Sequence, residues 1–148
     1  SLADLNGSNG FRLGGDVLGE SFVIKSAGDI NGDGFDDVII SDSLGRDPLF
    51  IDRETVPSYL IFGKPDGFIP TIALSSLDGS AGFEFSGKSD AYSIISVSSV
   101  GDFNADGFDD VFVKTVTDEI FPISSYIVFG KASSFGSKFE LVYYLIFQ

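Results

Sequence analysis

Oxygen-bearing side chains recur at one fixed spacing in two stretches of the chain. In Gly28-Asp29-Ile30-Asn31-Gly32-Asp33-Gly34-Phe35-Asp36-Asp37-Val38 they fall at loop positions 1, 3, 5 and 9, as Asp29, Asn31, Asp33 and Asp37. In Gly101-Asp102-Phe103-Asn104-Ala105-Asp106-Gly107-Phe108-Asp109-Asp110-Val111 the same positions hold Asp102, Asn104, Asp106 and Asp110. Alternate residues of a tightly curled loop point inward, so positions 1, 3 and 5 converge. A glycine at position 6, Gly34 or Gly107, allows a backbone turn that a β-carbon would resist. That turn carries the carbonyl of Phe35 or Phe108, at position 7, toward the same point. Three carboxylates, one amide oxygen and one carbonyl make the hard oxygen cage that calcium prefers, at about 2.3 to 2.6 Å, with water completing about six to eight ligands. Softer metals want nitrogen or sulfur, and the chain has no His and no Cys. The spacing therefore predicts two structural Ca2+ sites, one per loop.

The flanking elements decide what kind of calcium loop this is. An EF-hand needs a bidentate Glu at position 12 between two helices, and position 12 here is Ile40 or Val113. Phe22-Val23-Ile24-Lys25-Ser26 enters the first loop and Asp37-Val38-Ile39-Ile40-Ser41 leaves it. Ser93-Ile94-Ile95-Ser96-Val97 and Asp110-Val111-Phe112-Val113 flank the second. These short β-branched and aromatic runs are predicted strands, so each metal sits in a strand-to-strand turn.

Composition limits the partners. The chain has 148 residues and a formal net charge of −13, an acidic balance that argues against nucleic acid and anionic membranes, both of which need basic patches. Two calcium ions would offset four of those charges. The absence of cysteine rules out a disulfide framework without excluding secretion. No apolar run is long enough to span a bilayer, so no membrane insertion is expected.

Three unlike motifs recur in the same order. Leu5-Asn6-Gly7-Ser8-Asn9-Gly10-Phe11 returns as Leu77-Asp78-Gly79-Ser80-Ala81-Gly82-Phe83, an offset of 72. The acidic loops are offset by 73, and Ser58-Tyr59-Leu60-Ile61-Phe62-Gly63-Lys64 returns as Ser125-Tyr126-Ile127-Val128-Phe129-Gly130-Lys131 at 67. Such order is the mark of a repeat architecture. Each period holds about four predicted strands: the runs into and out of the loop, the Tyr-x-x-Phe-Gly run and the Gly-Phe-x-x-x-Gly run. One four-stranded antiparallel sheet per repeat describes a propeller blade. The expected fold class is all-β, a β-propeller fragment of about two blades with a calcium loop in each.

The order Gly-Asp-x-Asn-x-Asp-Gly-Phe-Asp-Asp-Val, then Tyr-x-x-Phe-Gly, then Leu-x-Gly-Ser-x-Gly-Phe resembles the FG-GAP repeat of integrin α-subunit propellers and of many bacterial surface proteins. The resemblance runs from about Leu5 to Leu141. The usual Gly-Ala-Pro after the second strand is replaced here by Ser41-Asp42-Ser43 and Lys114-Thr115-Val116. On this reading residues 1–15 supply the last strand of a preceding blade, 16–87 a first FG-GAP blade, and 88–148 a second, incomplete one. Family propellers close with about seven blades, so two blades imply a segment of a longer propeller, or a ring assembled from several copies. The apolar run Val142-Tyr143-Tyr144-Leu145-Ile146-Phe147 follows no repeat.

The resemblance implies a non-catalytic, extracellular or cell-surface segment that binds a protein or matrix ligand through the loop face opposite the calcium loops. On that face the connection from Ser41 to Tyr59 is six residues longer than its counterpart. Its Arg46, Asp47, Phe50, Arg53 and Glu54 form the candidate recognition surface. The alternative is a structural propeller within a larger secreted hydrolase or lyase whose catalytic residues lie outside this chain. Asp36 and Asp109, at position 8, point away from the metal and are expected to be solvated or to bond neighbouring backbone. Phe22, Phe35, Phe62, Phe108, Phe112 and Phe129 are expected in the core between blades, and Tyr59 and Tyr126 are expected to be structural.

Overall fold

A computed structural model describes residues 1–14, 22–42, 57–87, 93–116 and 124–141. The described residues are all-β apart from two short 3-10 turns, at Leu2–Asp4 and Leu74–Ser76. Ten strands form: β1 (Arg12–Gly14), β2 (Phe22–Gly28), β3 (Asp37–Asp42), β4 (Ser58–Ile61), β5 (Thr71–Ala73), β6 (Gly82–Gly87), β7 (Ser93–Gly101), β8 (Asp110–Val116), β9 (Ser124–Val128) and β10 (Lys138–Leu141). They make sheets of two, five and three strands, ordered β1-β5, β10-β6-β4-β3-β2 and β7-β8-β9. None of these sheets closes on itself.

The four predicted strand types of the first repeat pair as one antiparallel sheet. β2 runs against β3, β3 against β4, and β4 against β6. The strands around the acidic loops run past their predicted ends, the entering strands continuing to Gly28 and Gly101 and the leaving strands to Asp42 and Val116. In the second repeat β7, β8 and β9 take the places of β2, β3 and β4.

A fifth strand type links the repeats. β10 adds to β6 in parallel, pairing Phe139 with Phe85. β5 adds to β1 in the same way, pairing Ile72 with Leu13. In chain order β10 corresponds to β5 and β6 to β1, so each repeat sends a short strand to the Gly-Phe strand that precedes it. Side chains support the link. Phe83 stacks on Phe135 with ring centroids 4.7 Å apart. Phe11 meets Phe68 at 4.3 Å in the corresponding place. Lys131 and Lys64 each lay an ammonium over the second ring of the pair, at 4.8 and 5.1 Å.

Two apolar clusters result. The larger lies between the two repeats and gathers Ile30, Ile39, Leu60, Phe62 and Phe83 from the first with Val97, Val111, Val113, Val128 and Phe135 from the second. The smaller joins Ile40, Tyr59, Ile61, Ile72 and Leu74 beneath Phe11 and Leu13. Of the aromatics expected between blades, Phe62 is buried there, whereas Phe22, Phe35 and Phe129 are exposed. The reason is positional: Phe62 faces the junction between the two repeats, and Phe129, its counterpart, is exposed. Tyr59, expected to be structural, is buried.

Candidate metal centres

Both acidic loops are hairpin connections whose entry is shaped by a bulge. The β2–β3 register shifts between Ser26 and Gly28, and the β7–β8 register between Ser99 and Gly101. Gly28 and Gly101 then take positive φ of 71° and 70°, a conformation open to glycine at little cost. Within the first loop Gly34 has φ 89°, and Gly107 has φ 94° in the second. These are the position-6 glycines whose turn the spacing predicts.

The side chains at positions 1, 3 and 5 hold the curl. Asp29 accepts from the N–H of Asp33 at 3.0 Å through Oδ1 and from that of Gly34 at 2.8 Å through Oδ2. Asp102 accepts from Asp106 and Gly107 at 2.9 Å each. Asn31 accepts from the Asp33 N–H at 3.0 Å and donates its amide to Asp33 Oδ2 at 3.0 Å. Asn104 and Asp106 repeat both bonds at 3.0 and 2.8 Å. Asp33 accepts from the Phe35 N–H, and Asp106 from the Phe108 N–H. Two loops with different residues at positions 2 and 4 thus share one hydrogen-bond scheme.

Position 9 behaves differently. Asp37 and Asp110 are fully buried. Asp37 accepts from the N–H groups of Ile30 at 3.0 Å and Gly63 at 2.8 Å. Asp110 accepts from Phe103 at 3.0 Å and Gly130 at 2.9 Å. Each carboxylate therefore ties its loop to the Phe-Gly turn of its own repeat. Burial pushes the Asp37 carboxyl up to about 6, against the two backbone bonds that pull it down and with the nearby Asp33 and Asp29 adding to the rise. The spacing marked these residues as ligands and gave no sign of this bracing, which depends on a turn 26 residues further along the chain.

Among the described residues no three acidic side chains gather into one metal-holding group; the third carboxylate of each loop, Asp37 or Asp110, is buried and accepts from two backbone N–H groups. The donor chemistry still suits calcium. Every candidate donor is a hard oxygen, the accessible carboxylates are Asp29, Asp33, Asp102 and Asp106, and a carboxylate oxygen bonded once to an N–H keeps a second acceptor position.

Position 8 joins the repeats. Asp109 Oδ2 accepts from the N–H of Asp29 at 2.8 Å. Its own N–H donates to the Asp29 carbonyl at 3.0 Å, and Lys131 N–H donates to the Ile30 carbonyl at 2.9 Å. A β-carbon on Gly28 would run into the Asp109 carboxylate, and one on Gly32 would meet the Phe108 ring. Asp36, the counterpart of Asp109, is exposed. It borders a cavity of about 270 Å³ lined by Phe11, Phe35, Val38, Ile61, Lys64 and Phe68 among others. The candidate recognition residues Arg46, Asp47, Phe50, Arg53 and Glu54 lie outside the described residues. The sequence matches no protein-family model, and no curated protein matches it.

Proposed function

We propose that this chain is a calcium-stabilised, non-catalytic segment of an FG-GAP-type β-propeller, carried on an extracellular or cell-surface protein and recognising a protein or matrix partner through the face opposite its calcium loops. The observation that carries the calcium reading is the shared scheme of the two loops. Asp29-Asn31-Asp33 and Asp102-Asn104-Asp106 are curled by the same backbone bonds, although the residues between them differ. The four-stranded antiparallel first repeat, followed by a second in the same strand order, supports the blade reading.

Calcium supplies positive charge at a point where exposed carboxylates otherwise repel one another. The chain's residues do the rest. Gly34 and Gly107 set the turn, Asn31 and Asn104 offer a neutral oxygen, and Asp37 and Asp110 fix the loop to its sheet. A site built from one short loop falls in the range of extracellular modules, with a dissociation constant of about 10⁻⁴ to 10⁻³ M. Such a site would be nearly empty at cytosolic calcium, which supports an outside location.

Calcium titration by calorimetry tests the reading. Two sites are expected, with Asp33→Ala removing one and Asp106→Ala the other while circular dichroism stays β-type. A folded chain that takes up no calcium would overturn the assignment.

A further inference from the structure

The two ends of the repeat pair are complementary, and the contact between the repeats shows how they would meet. At that contact the first repeat presents Ile30 and Phe62, at 0% and 8% exposure. Their counterparts in the second repeat, Phe103 and Phe129, are 66% and 51% exposed, and Val100 and Ile127 beside them are also exposed. The second repeat therefore carries, uncovered, the apolar face that the first repeat has covered. At the other end of the molecule, the surface that receives Ile30 in the second repeat has its counterpart in the cavity between Phe11, Val38, Ile61 and Phe68.

Backbone edges match in the same sense. β6 lies between β4 and β10. β1, its counterpart, has β5 on one side and, among the described residues, no strand on the other. β9, the counterpart of β4, ends its sheet with one edge unpaired among the described residues. An unpaired edge is a template for strand addition.

We propose that a second copy of this chain docks head to tail at these surfaces. Phe103 of one copy enters the Phe11–Phe68 cavity of the next, whose β1 adds antiparallel to β9. The β4–β6 register, with Tyr59 opposite Glu84 and Leu60 opposite Phe83, places Tyr126 opposite Arg12 and Ile127 opposite Phe11. Asp36 then accepts from the Asp102 N–H as Asp109 does from Asp29. The Lys64 N–H meets the Phe103 carbonyl as Lys131 meets Ile30. One position opposes the contact: Ala105 stands where Gly32 leaves room for the Phe108 ring, so the Phe35 ring must turn aside. The contact is heterologous, and such contacts form rings when the rotation closes. If each junction turns as in a propeller of about four to eight blades, roughly two to four copies complete the ring. The inference rests on the repeat reading and not on bound calcium.

Sedimentation velocity across a wide concentration range, in calcium and in chelator, tests it with two charge-matched variants, Phe103→Glu and Phe11→Glu. The wild-type chain should shift with concentration to one closed oligomer. Each variant alone should remain a monomer. Their mixture should give a dimer and nothing larger, because it holds one intact tail and one intact head. Ala105→Gly should tighten association about tenfold. A folded wild-type chain that stays monomeric throughout, or an oligomer that both variants retain, would overturn the proposal. A chain that binds two calcium ions yet stays monomeric loses this inference and keeps the calcium reading. Association in both buffers without calcium uptake does the reverse.

Discussion

Position 4 of the two loops shows how one methyl group separates two surfaces. Gly32, at φ 73°, lies beneath the Phe108 ring, whereas Ala105 holds φ 59° in the other loop. Gly32→Ala should therefore destabilise the chain by about 1 to 3 kcal/mol in urea unfolding, through crowding of the ring. An effect within experimental error would mean that the ring moves freely. Asp37 gives a second prediction. Its neutral form is the one that burial favours, since the carboxyl is raised from 3.8 to about 6. In calcium-free protein this group's contribution to stability is whole below about pH 4 and is lost as pH rises through about 6, a change of up to about 3 kcal/mol. Carboxyl NMR in chelator should find the midpoint near 6, and a midpoint in the ordinary carboxylate range would show that water reaches the group. Calcium, by favouring the ionised form, should move that midpoint down. The loop positions were legible because they depend on local spacing. The second duty of Asp37 was not, because Gly63 comes to it only through the β3–β4 pairing.

Among the elements, the runs of β-branched residues announced β2, β3, β7 and β8, and the Tyr-x-x-Phe-Gly motif announced β4 and β9. β5 and β10 are not among the predicted strands. Three or four residues carry no periodicity of their own, and both are strands only because a Gly-Phe strand of the preceding segment offers an edge. Where the strength of that link resides can be measured. Phe85 is fully buried, with Phe83 at 4.9 Å and Phe139 at 6.0 Å, so Phe85→Ala should cost about 3 to 5 kcal/mol. Lys138 reaches Glu84 at 3.2 Å with its side chain well exposed, and Lys138→Ala should change stability by less than about 1 kcal/mol. Equal losses from the two substitutions would show that the ion pair, not ring packing, holds β10 to β6.

At the scale of the molecule, the sequence repeats foretold an all-β chain and the order of its strands, but assigned all the recurring phenylalanines to one environment. Exposure depends on which repeat a residue belongs to: the same position is core at the junction and surface at the open end. The net charge of −13 would set copies repelling one another, a repulsion that salt screens over about 10 Å at moderate ionic strength and that calcium, if bound in the loops, would reduce. The parallel pairing of β10 with β6 has a further consequence. Residues 138–141 complete a sheet whose other strands lie between residues 22 and 87, so the periodicity of the sequence and that of the folded units are out of phase. Neither unit can fray alone without surrendering an edge of the other. The pair should melt as one cooperative body, and its slowest folding event should be the late arrival of a strand from more than fifty residues away.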